Sequence, residues 1–214
     1  MLSRSTNVEA PPVVTIHADF GAYEASFRRN QEIHGQGEAA DRIYEVRRGA
    51  VRSYKTLTDG RRQICAFHLP GDIFGWESGL TYRFTSEAIE HTCVRVVRRR
   101  VLEYVAERDI RVTRNLLGMA TRNLEHAETQ MMVLGRTNAL ERVAAFLLEM
   151  DRRLSRTDVL VLPMSRRDIA DYLGITLETV SRGLSQLRAS GALIFVEGQR
   201  QIALNDRKKL ELFA

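Results

Sequence analysis

Residues 165–187 read SRRDIADYLGITLETVSRGLSQL, a pattern that predicts two short helices joined by a tight turn. Ser165 is a good N-cap for the first helix, and Asp168 follows three residues later to complete a capping box. Gly174 predicts the end of that helix, because a residue without a Cβ adopts the left-handed conformation at low cost. Thr176 can cap the second helix. This order predicts a helix-turn-helix, whose second helix enters the DNA major groove.

The polar side of the predicted second helix suits contact with the edges of DNA bases. Glu178 can accept a hydrogen bond from cytosine N4, and Arg182 can donate two hydrogen bonds to guanine O6 and N7. Ser181 belongs to the same exposed side. Glu178 could also orient Arg182, since the two are four residues apart on one helix. The alternative is an ordinary helical hairpin with solvated charges, because short matches to this motif arise by accident.

The first helix of such a motif crosses the DNA backbone, so we expect phosphate contacts at its start, with others along the second helix. Contacts of this kind position a protein on DNA without reading its sequence. The residues predicted to make them are Ser165, Arg166, Arg167, Thr176, Thr179 and Ser185.

The composition is that of a moderately basic globular protein. The chain has 214 residues, 44% of them hydrophobic, with a formal net charge of +5. This suits one large or two small domains and is compatible with nucleic acid as a partner. Two cysteines, Cys65 and Cys93, are too few for a disulfide framework and indicate a reducing cytoplasm. No apolar run approaches membrane-spanning length and no signal peptide is recognisable, so we expect a cytoplasmic protein without a membrane partner.

The sequence pattern of residues 31–101 is typical of β-structure. Short β-branched and aromatic runs alternate with turn signals, among them the hairpin dipeptide Asp59-Gly60. The predicted strands cover residues 43–46, 50–55, 64–69, 86–91 and 93–97. Many short strands at regular spacing predict an antiparallel roll or barrel.

From about residue 101 the hydrophobic period becomes helical and forms a heptad seam. The seam residues are Ile110, Thr113, Leu117, Ala120, Leu124, Ala127, Met131 and Leu134. A seam sustained over more than three heptads predicts a helix that pairs with another helix, here in a homodimer. The alternative is a helix packed on the core of its own domain. Gly135, just beyond the seam, is a candidate hinge.

The predicted fold class is α+β, with four segments in order. Residues 1–22 form an N-terminal arm, 23–100 an antiparallel β-roll, 101–136 the dimerisation helix, and 137–214 a winged helix-turn-helix domain. The last segment begins with an amphipathic helix at 138–154. It ends with strands at 192–196 and 201–204 around a turn at 197–199, which predict the wing.

This order of motifs resembles the CRP/FNR superfamily of bacterial transcription regulators, from about Phe20 onward. Residues 178–182, ETVSR, resemble the recognition helix of the FNR and FixK branches, which carries Glu-x-x-Ser-Arg. The resemblance implies a jelly roll of the cyclic-nucleotide-binding type and a homodimer on a TTGA-type inverted repeat. Glu178, Ser181 and Arg182 would read each half-site, with Arg182 on the guanine. Two-fold symmetry would place the recognition helices about 34 Å apart.

The roll departs from the cAMP-binding members of the family. Residues 70–77, PGDIFGWE, and 86–89, SEAI, look like FixK proteins instead. A cAMP-binding member would carry a Glu directly after the Gly and an Arg-Ser pair about ten residues on. Here Trp76 follows Gly75, and Thr85-Ser86 supplies no arginine. Because a cyclic phosphate needs a buried cation or several N–H donors, we expect no cAMP binding.

We expect no cofactor and no metal. Two cysteines cannot supply the four thiolates of an FNR-type iron–sulfur cluster. The alternative is an effector-gated member that binds a small molecule, or haem, in the roll. The candidate haem ligands are His34, His68, His91 and His126.

The resemblance to FixK implies an activator in a circuit that responds to oxygen limitation or governs nitrogen fixation. Its partners would be palindromic double-stranded DNA, a second copy of the chain, and RNA polymerase. The candidate polymerase contacts are Phe74, Trp76 and Glu77, the alternative being a Trp packed on the roll. We do not expect an enzyme, because no phosphate-binding Gly loop, nucleophile elbow or metal-spaced His/Cys set is visible.

Overall fold

The computed structural model describes residues 21–154, 159–196 and 201–214. Nearly all of the predicted arm at 1–22, and the wing turn at 197–199, therefore lie outside the described residues. None of the described helices combines the length and apolar character needed to span a bilayer.

The N-terminal half is an antiparallel roll of two four-stranded sheets, as the sequence predicts. The sheet orders are β1-β8-β3-β6 and β2-β7-β4-β5. The strands are β1 Tyr23–Phe27, β2 Glu32–His34, β3 Arg42–Arg48, β4 Val51–Thr56, β5 Arg62–His68, β6 Ile73–Phe74, β7 Thr85–Ala88 and β8 Thr92–Arg98. The five predicted strands correspond to β3, β4, β5, β7 and β8. The sequence missed β2 and β6 because runs of three and two residues are too short to show alternation, and it missed β1, which precedes the segment predicted as β-structure.

Alternation within the strands builds the roll. In β4 and β5, Val51, Ile64 and Phe67 are buried, and the two strands pair in antiparallel register from Val51–His68 to Thr56–Arg62. Gly60 has a φ of 81° in the connecting turn, a conformation that glycine adopts without a Cβ penalty. The hairpin predicted at Asp59-Gly60 is therefore confirmed.

The long helix is broken near its start. The sequence predicted one helix over 101–136, but the structure has α1 at Arg99–Ala106 and α2 at Ile110–Leu134. Asp109 is the N-cap of α2, and its side chain accepts a hydrogen bond from Arg111 N. An aspartate that bonds the local backbone favours a helix start over a helix interior, which accounts for the break.

The C-terminal half is a helical domain with a small sheet. Its elements are α3 Ala139–Leu154, β9 Val159–Val161, α4 Arg166–Leu173, α5 Leu177–Ala189, β10 Ile194–Phe195, β11 Gln201–Ala203 and α6 Arg207–Glu211. The strands pair in the order β10-β11-β9, so β9 adds a third strand to the predicted wing. Phe146, Leu173 and Leu184 lie in a core that continues into Ile64 and Phe67 of the roll. The roll and the helix-turn-helix therefore share one hydrophobic core.

Candidate nucleic-acid interface

The helix-turn-helix forms with the caps that its sequence predicts. Ser165 Oγ accepts a hydrogen bond from Asp168 N at 3.1 Å, and the Asp168 carboxylate accepts one from Ser165 N at 3.0 Å. Gly174 ends α4 in the left-handed conformation, with a φ of 63°. Thr176 Oγ1 accepts from Thr179 N at 3.2 Å and starts α5. Because both ends of the turn are capped, the direction of α4 determines the direction of α5.

The inner side of α5 is fixed against α3. Val180, Leu184 and Leu187 are buried, as predicted. At Gly183 a Cβ would stand 3.4 Å from Val143 Cγ2, so a glycine allows the close approach of the two helices. The packing of α5 against α3 therefore holds the outer side of α5 in a fixed position.

The outer side of α5 carries the base-reading candidates. Glu178 and Arg182 are exposed, whereas Ser181 is half-buried. A hydrogen bond from its own backbone and one from Thr176 lower the pKa of Glu178, so its carboxylate is an ionised acceptor at neutral pH. The guanidinium of Arg182 donates to Thr179 Oγ1 at 3.4 Å.

The two arginines at the start of α4 differ in their surroundings. Arg167 is exposed over 71% of its side chain and lies 3.5 Å from Asp171. Arg166 is half-buried: its guanidinium donates to Ser181 Oγ at 3.3 Å and lies 5.7 Å from the centre of the Phe195 ring. Burial also lowers the pKa of Arg166. Arg167 is therefore the better placed of the two for a phosphate.

Two of the residues predicted to contact phosphate, Ser165 and Ser185, donate their hydroxyl protons to acceptors within the protein. Ser165 Oγ donates to Asp168 Oδ2 at 2.7 Å, and Ser185 Oγ donates to Ser181 O at 2.9 Å. A phosphate oxygen is only an acceptor, so either hydroxyl would have to rotate out of its present bond to donate to one, and both contacts stay predictions. Thr176 and Thr179 share one hydrogen bond between their hydroxyls at 3.0 Å.

The sequence reasoning missed Arg188, which is exposed near the C-terminal end of α5. Its guanidinium lies 5.7 Å from the centre of the Phe195 ring of β10. The signal was its spacing, since Arg188 follows the exposed Ser185 by three residues on the same side of the helix.

The heptad seam of α2 faces away from the protomer. Ile110, Leu117, Leu124 and Met131 are exposed to 62%, 68%, 57% and 64%. Thr113, Ala120 and Ala127 are also exposed, and Leu134 is half-buried. The residues that α2 buries instead are Val112, Met119, Gln130 and Val133. The alternative interpretation, in which the seam packs on its own domain, is therefore wrong.

A cavity of about 210 Å³ lies between the roll, α2 and α3. It is smaller than typical ligand pockets of about 300–1,000 Å³. Among the described residues that line it, the one arginine is Arg153, whose guanidinium bonds Asp72 Oδ2 at 2.6 Å and Glu149 Oε1 at 3.3 Å. Ser86 Oγ shares a hydrogen bond with Ser53 Oγ at 2.8 Å. The residues present do not fit a cyclic phosphate, because this described lining offers it no uncommitted cation.

Two of the four candidate haem ligands, His34 and His68, contact other side chains of the roll, whereas His91 is exposed and His126 lines the cavity. The His34 ring is buried and stacks on Tyr82 at 3.7 Å, and His68 Nε2 shares a hydrogen bond with Ser53 Oγ at 2.8 Å. Burial lowers the pKa of His34 and of His68 to about 4 in each case. Within the described ranges, no cluster of three or more His, Cys, Asp or Glu could hold a metal ion.

The three candidate polymerase contacts differ in how deeply their side chains are buried. Phe74 is buried and stacks on Tyr44 with ring centroids 5.0 Å apart. Glu77 is also buried, and its carboxylate is ion-paired with Arg83. Neither side chain is accessible to another protein, so the prediction is corrected for these two. Trp76 is 36% exposed, and the neighbouring Leu80, which the sequence reasoning missed, is 87% exposed.

Comparison with known proteins agrees with this architecture. Residues 24–109 match the cyclic nucleotide-binding domain family, and residues 141–213 match the Crp-like helix-turn-helix domain family. The chain is 44% identical to the nitrogen fixation regulation protein FixK of Azorhizobium caulinodans, over 87% of this chain and 77% of the relative. It is 41% identical to the protein of the same name from Rhizobium meliloti, over 88% and 82%.

A solved structure is similar over nearly the same length. FixK2 from Bradyrhizobium japonicum superposes with a TM-score of 0.86 at 57% sequence identity, covering 90% of this chain and 96% of that chain. The chain belongs to the CRP/FNR family of DNA-binding transcription regulators. Within that family it is a FixK-like regulator.

Proposed function

We propose that the protein binds TTGA-type inverted repeats as a homodimer, without a bound effector, and activates transcription. The observation that carries this proposal is the outer side of α5, where Glu178 and Arg182 are exposed on a capped and packed helix. A carboxylate acceptor and a guanidinium at this spacing match the donors and acceptors of a C·G-containing half-site. Relatives named for regulation of nitrogen fixation support a role in a nitrogen-fixation or oxygen-limitation circuit.

The exposed seam of α2 supports the homodimer. Ile110, Leu117, Leu124 and Met131 are seven residues apart and each is more than half exposed. A continuous apolar stripe of this kind is typical of a surface that another helix covers. A two-fold axis along α2 gives each protomer the same contacts and directs both recognition helices to one side of the dimer.

The test of this function is binding of the purified protein to a TTGA-N6-TCAA duplex in air, with and without cAMP. We expect specific binding in air without a ligand, because the described cavity lining has no uncommitted cation for a nucleotide phosphate. We also expect a colourless protein, because two cysteines cannot hold an iron–sulfur cluster of the four-thiolate kind. A scrambled duplex of equal length is the control. Binding that requires cAMP or the absence of oxygen, or a visible absorption band, would favour an effector-gated regulator.

Arg167→Ala should weaken DNA binding nearly equally for specific and scrambled duplexes. Its exposed guanidinium is suited to a phosphate, which carries no sequence information. Each phosphate-neutralising charge contributes about one to the slope of log K against log salt, and a homodimer loses two, so the slope should fall by about two. Arg108→Ala, at an exposed arginine beyond α1 that is paired with Glu107, is the control and should leave the slope unchanged. An unchanged slope for Arg167→Ala would remove this residue from the interface.

Contact with RNA polymerase is proposed for the loop that carries Trp76 and Leu80. Both side chains are exposed, whereas Phe74, two residues before Trp76, is buried against Tyr44. Trp76→Ala should reduce transcription from a bound promoter and leave the affinity for DNA unchanged. Equal transcription by the variant and the original protein would place the contact elsewhere.

A further inference from the structure

Two arginines of the roll converge on α4, the first helix of the helix-turn-helix. Arg52 Nη1 of β4 donates to Asp168 Oδ1 at 3.0 Å, and Arg62 Nη2 of β5 donates to the same oxygen at 2.6 Å. Arg62 Nε also donates to Asp171 Oδ2 at 2.9 Å, one turn further along α4. The roll therefore holds two successive carboxylates on one side of this helix.

The roll in turn anchors these arginines. Arg52 is also ion-paired with Glu87 of β7 and donates to Asn30 Oδ1 at 3.1 Å. Tyr54 donates to the second oxygen of Glu87 at 3.2 Å, and the Arg62 guanidinium lies 5.5 Å from the centre of the Tyr54 ring. Arg52 is 7% exposed and Asp168 is 3% exposed, so solvent and salt screen this cluster weakly. The guanidinium groups therefore project from fixed positions on the sheet.

Asp168 is ionised in this cluster. Burial alone raises the pKa of its carboxyl, but hydrogen bonds from Ser165 and the charges of Arg52 and Arg62 more than offset this, and the net pKa is lowered. The same carboxylate completes the capping box of α4. The side chain of Asp168 therefore both joins α4 to the roll and caps the start of α4.

The C-terminal end of α4 is held from three directions. Gln63 Nε2 of β5 donates to Asp171 O at 2.8 Å, Gln130 Nε2 of α2 donates to Tyr172 O at 3.0 Å, and Arg142 Nη1 of α3 donates to Leu173 O at 3.2 Å. These are carbonyls of the last turn, which a helix cannot satisfy with its own N–H groups. The roll, the seam helix and α3 therefore all contact the same short helix.

We propose that Arg52, Arg62 and Gln63 are positioning residues for DNA binding. They fix α4 against the roll and so set the angle at which α5 meets the major groove. In a dimer, this angle determines whether both recognition helices reach half-sites one DNA turn apart. The inference rests on the proposed homodimeric DNA binding. None of these three residues needs to touch DNA, since their partners lie on the roll-facing side of α4 and at its C-terminal end.

The spacing between half-sites gives a readout that a general loss of folded protein does not change. Binding is measured to inverted repeats separated by six base pairs, to the same repeats with one base pair removed or added, and to a single half-site. A smaller folded fraction lowers all affinities in proportion. A variant in which α4 is held less rigidly loses affinity chiefly for the six-base-pair site. Only that site is matched to both recognition helices at the angle that the roll fixes.

Arg62→Gln is the first variant, since Arg62 is 25% exposed and its loss is easier to accommodate than that of Arg52. We expect its preference for the six-base-pair spacing to fall about tenfold, with half-site binding and sedimentation unchanged. Arg62→Lys, which keeps the charge, should restore part of the preference. The control is Arg61→Gln, because the guanidinium of Arg61 bonds Asp59 within the hairpin turn, two residues away.

A double-variant cycle tests whether Arg62 acts through its partner. If it does, adding Asp171→Asn to Arg62→Gln should cost little beyond Arg62→Gln alone, whereas Arg62→Gln should still weaken the Asp171→Asn protein, because Arg62 also bonds Asp168. If Arg62→Gln does not fold, Gln63→Ala removes the amide bonds to α4 without changing any charge, and it carries the same expectation for spacing. A spacing preference unchanged in a folded variant would overturn the inference. Failure of the original protein to bind any of the repeats would overturn the proposed function, and the inference with it.

Discussion

Arg182→Ala should abolish recognition of the TTGA half-site and leave the dimer intact. Arg182 is exposed on the outer side of α5 and contributes nothing to the buried core. A guanidinium that bonds guanine O6 and N7 contributes roughly 1–3 kcal/mol of discrimination. Each substitution occurs twice in a homodimer, so the expected loss at a palindrome is roughly 2–6 kcal/mol. The fold should be unaffected, because surface substitutions away from special contacts change stability little.

Footprinting and competition with scrambled duplex measure this loss. Arg167→Ala is the matched comparison: it removes the same charge from the neighbouring helix, but at a position suited to phosphate. Arg167→Ala should lower both affinities, whereas Arg182→Ala should lower chiefly the specific one. Continued protection of TTGA sites by Arg182→Ala would remove the assignment of Arg182 to base reading.

Leu124→Asp should convert the protein to a monomer that remains folded. Leu124 is 57% exposed in the protomer, so the substitution leaves the packing of the chain itself nearly unchanged. In the paired seam, however, it would place two like charges in a dry interface without partners. Uncompensated buried charge costs roughly 3–5 kcal/mol, enough to raise the dissociation constant of the dimer by roughly two to four orders of magnitude.

Sedimentation and thermal unfolding of the Leu124→Asp protein check this result. Asn115→Asp is the control, because it adds the same charge at an exposed position of α2 that does not belong to the seam. The control should sediment as the original protein does. An unchanged dimer for Leu124→Asp would show that the interface lies on another surface.

The features that the sequence could predict are local ones. The capping box of Ser165 and Asp168, the left-handed Gly174 and the Asp59-Gly60 turn are confirmed because each depends on residues within a few positions of one another. Helical and strand periodicity likewise located the roll and α5 in the right order. The seam of α2 was visible for the same reason, since its period is a property of one helix.

The features that the sequence missed depend on packing between distant segments. Phe74 follows a turn signal but is buried among aromatic rings, and Arg166 begins a polar helix but is half-buried, 5.7 Å from the centre of the Phe195 ring. Both were predicted as exposed contact residues, because local polarity does not show which surface a neighbouring element covers.

Asp168 makes both a local contact that the sequence predicts and a long-range contact that only the tertiary structure shows. From the sequence alone it completes a capping box, because its partner Ser165 is three residues away. Only the tertiary structure brings it to Arg52, 116 residues earlier in the chain. Short-range spacing fixes which helices form and where they begin and end. The orientation of the DNA-binding helices relative to the roll is decided by ion pairs and a hydrophobic core shared between segments that no local period connects.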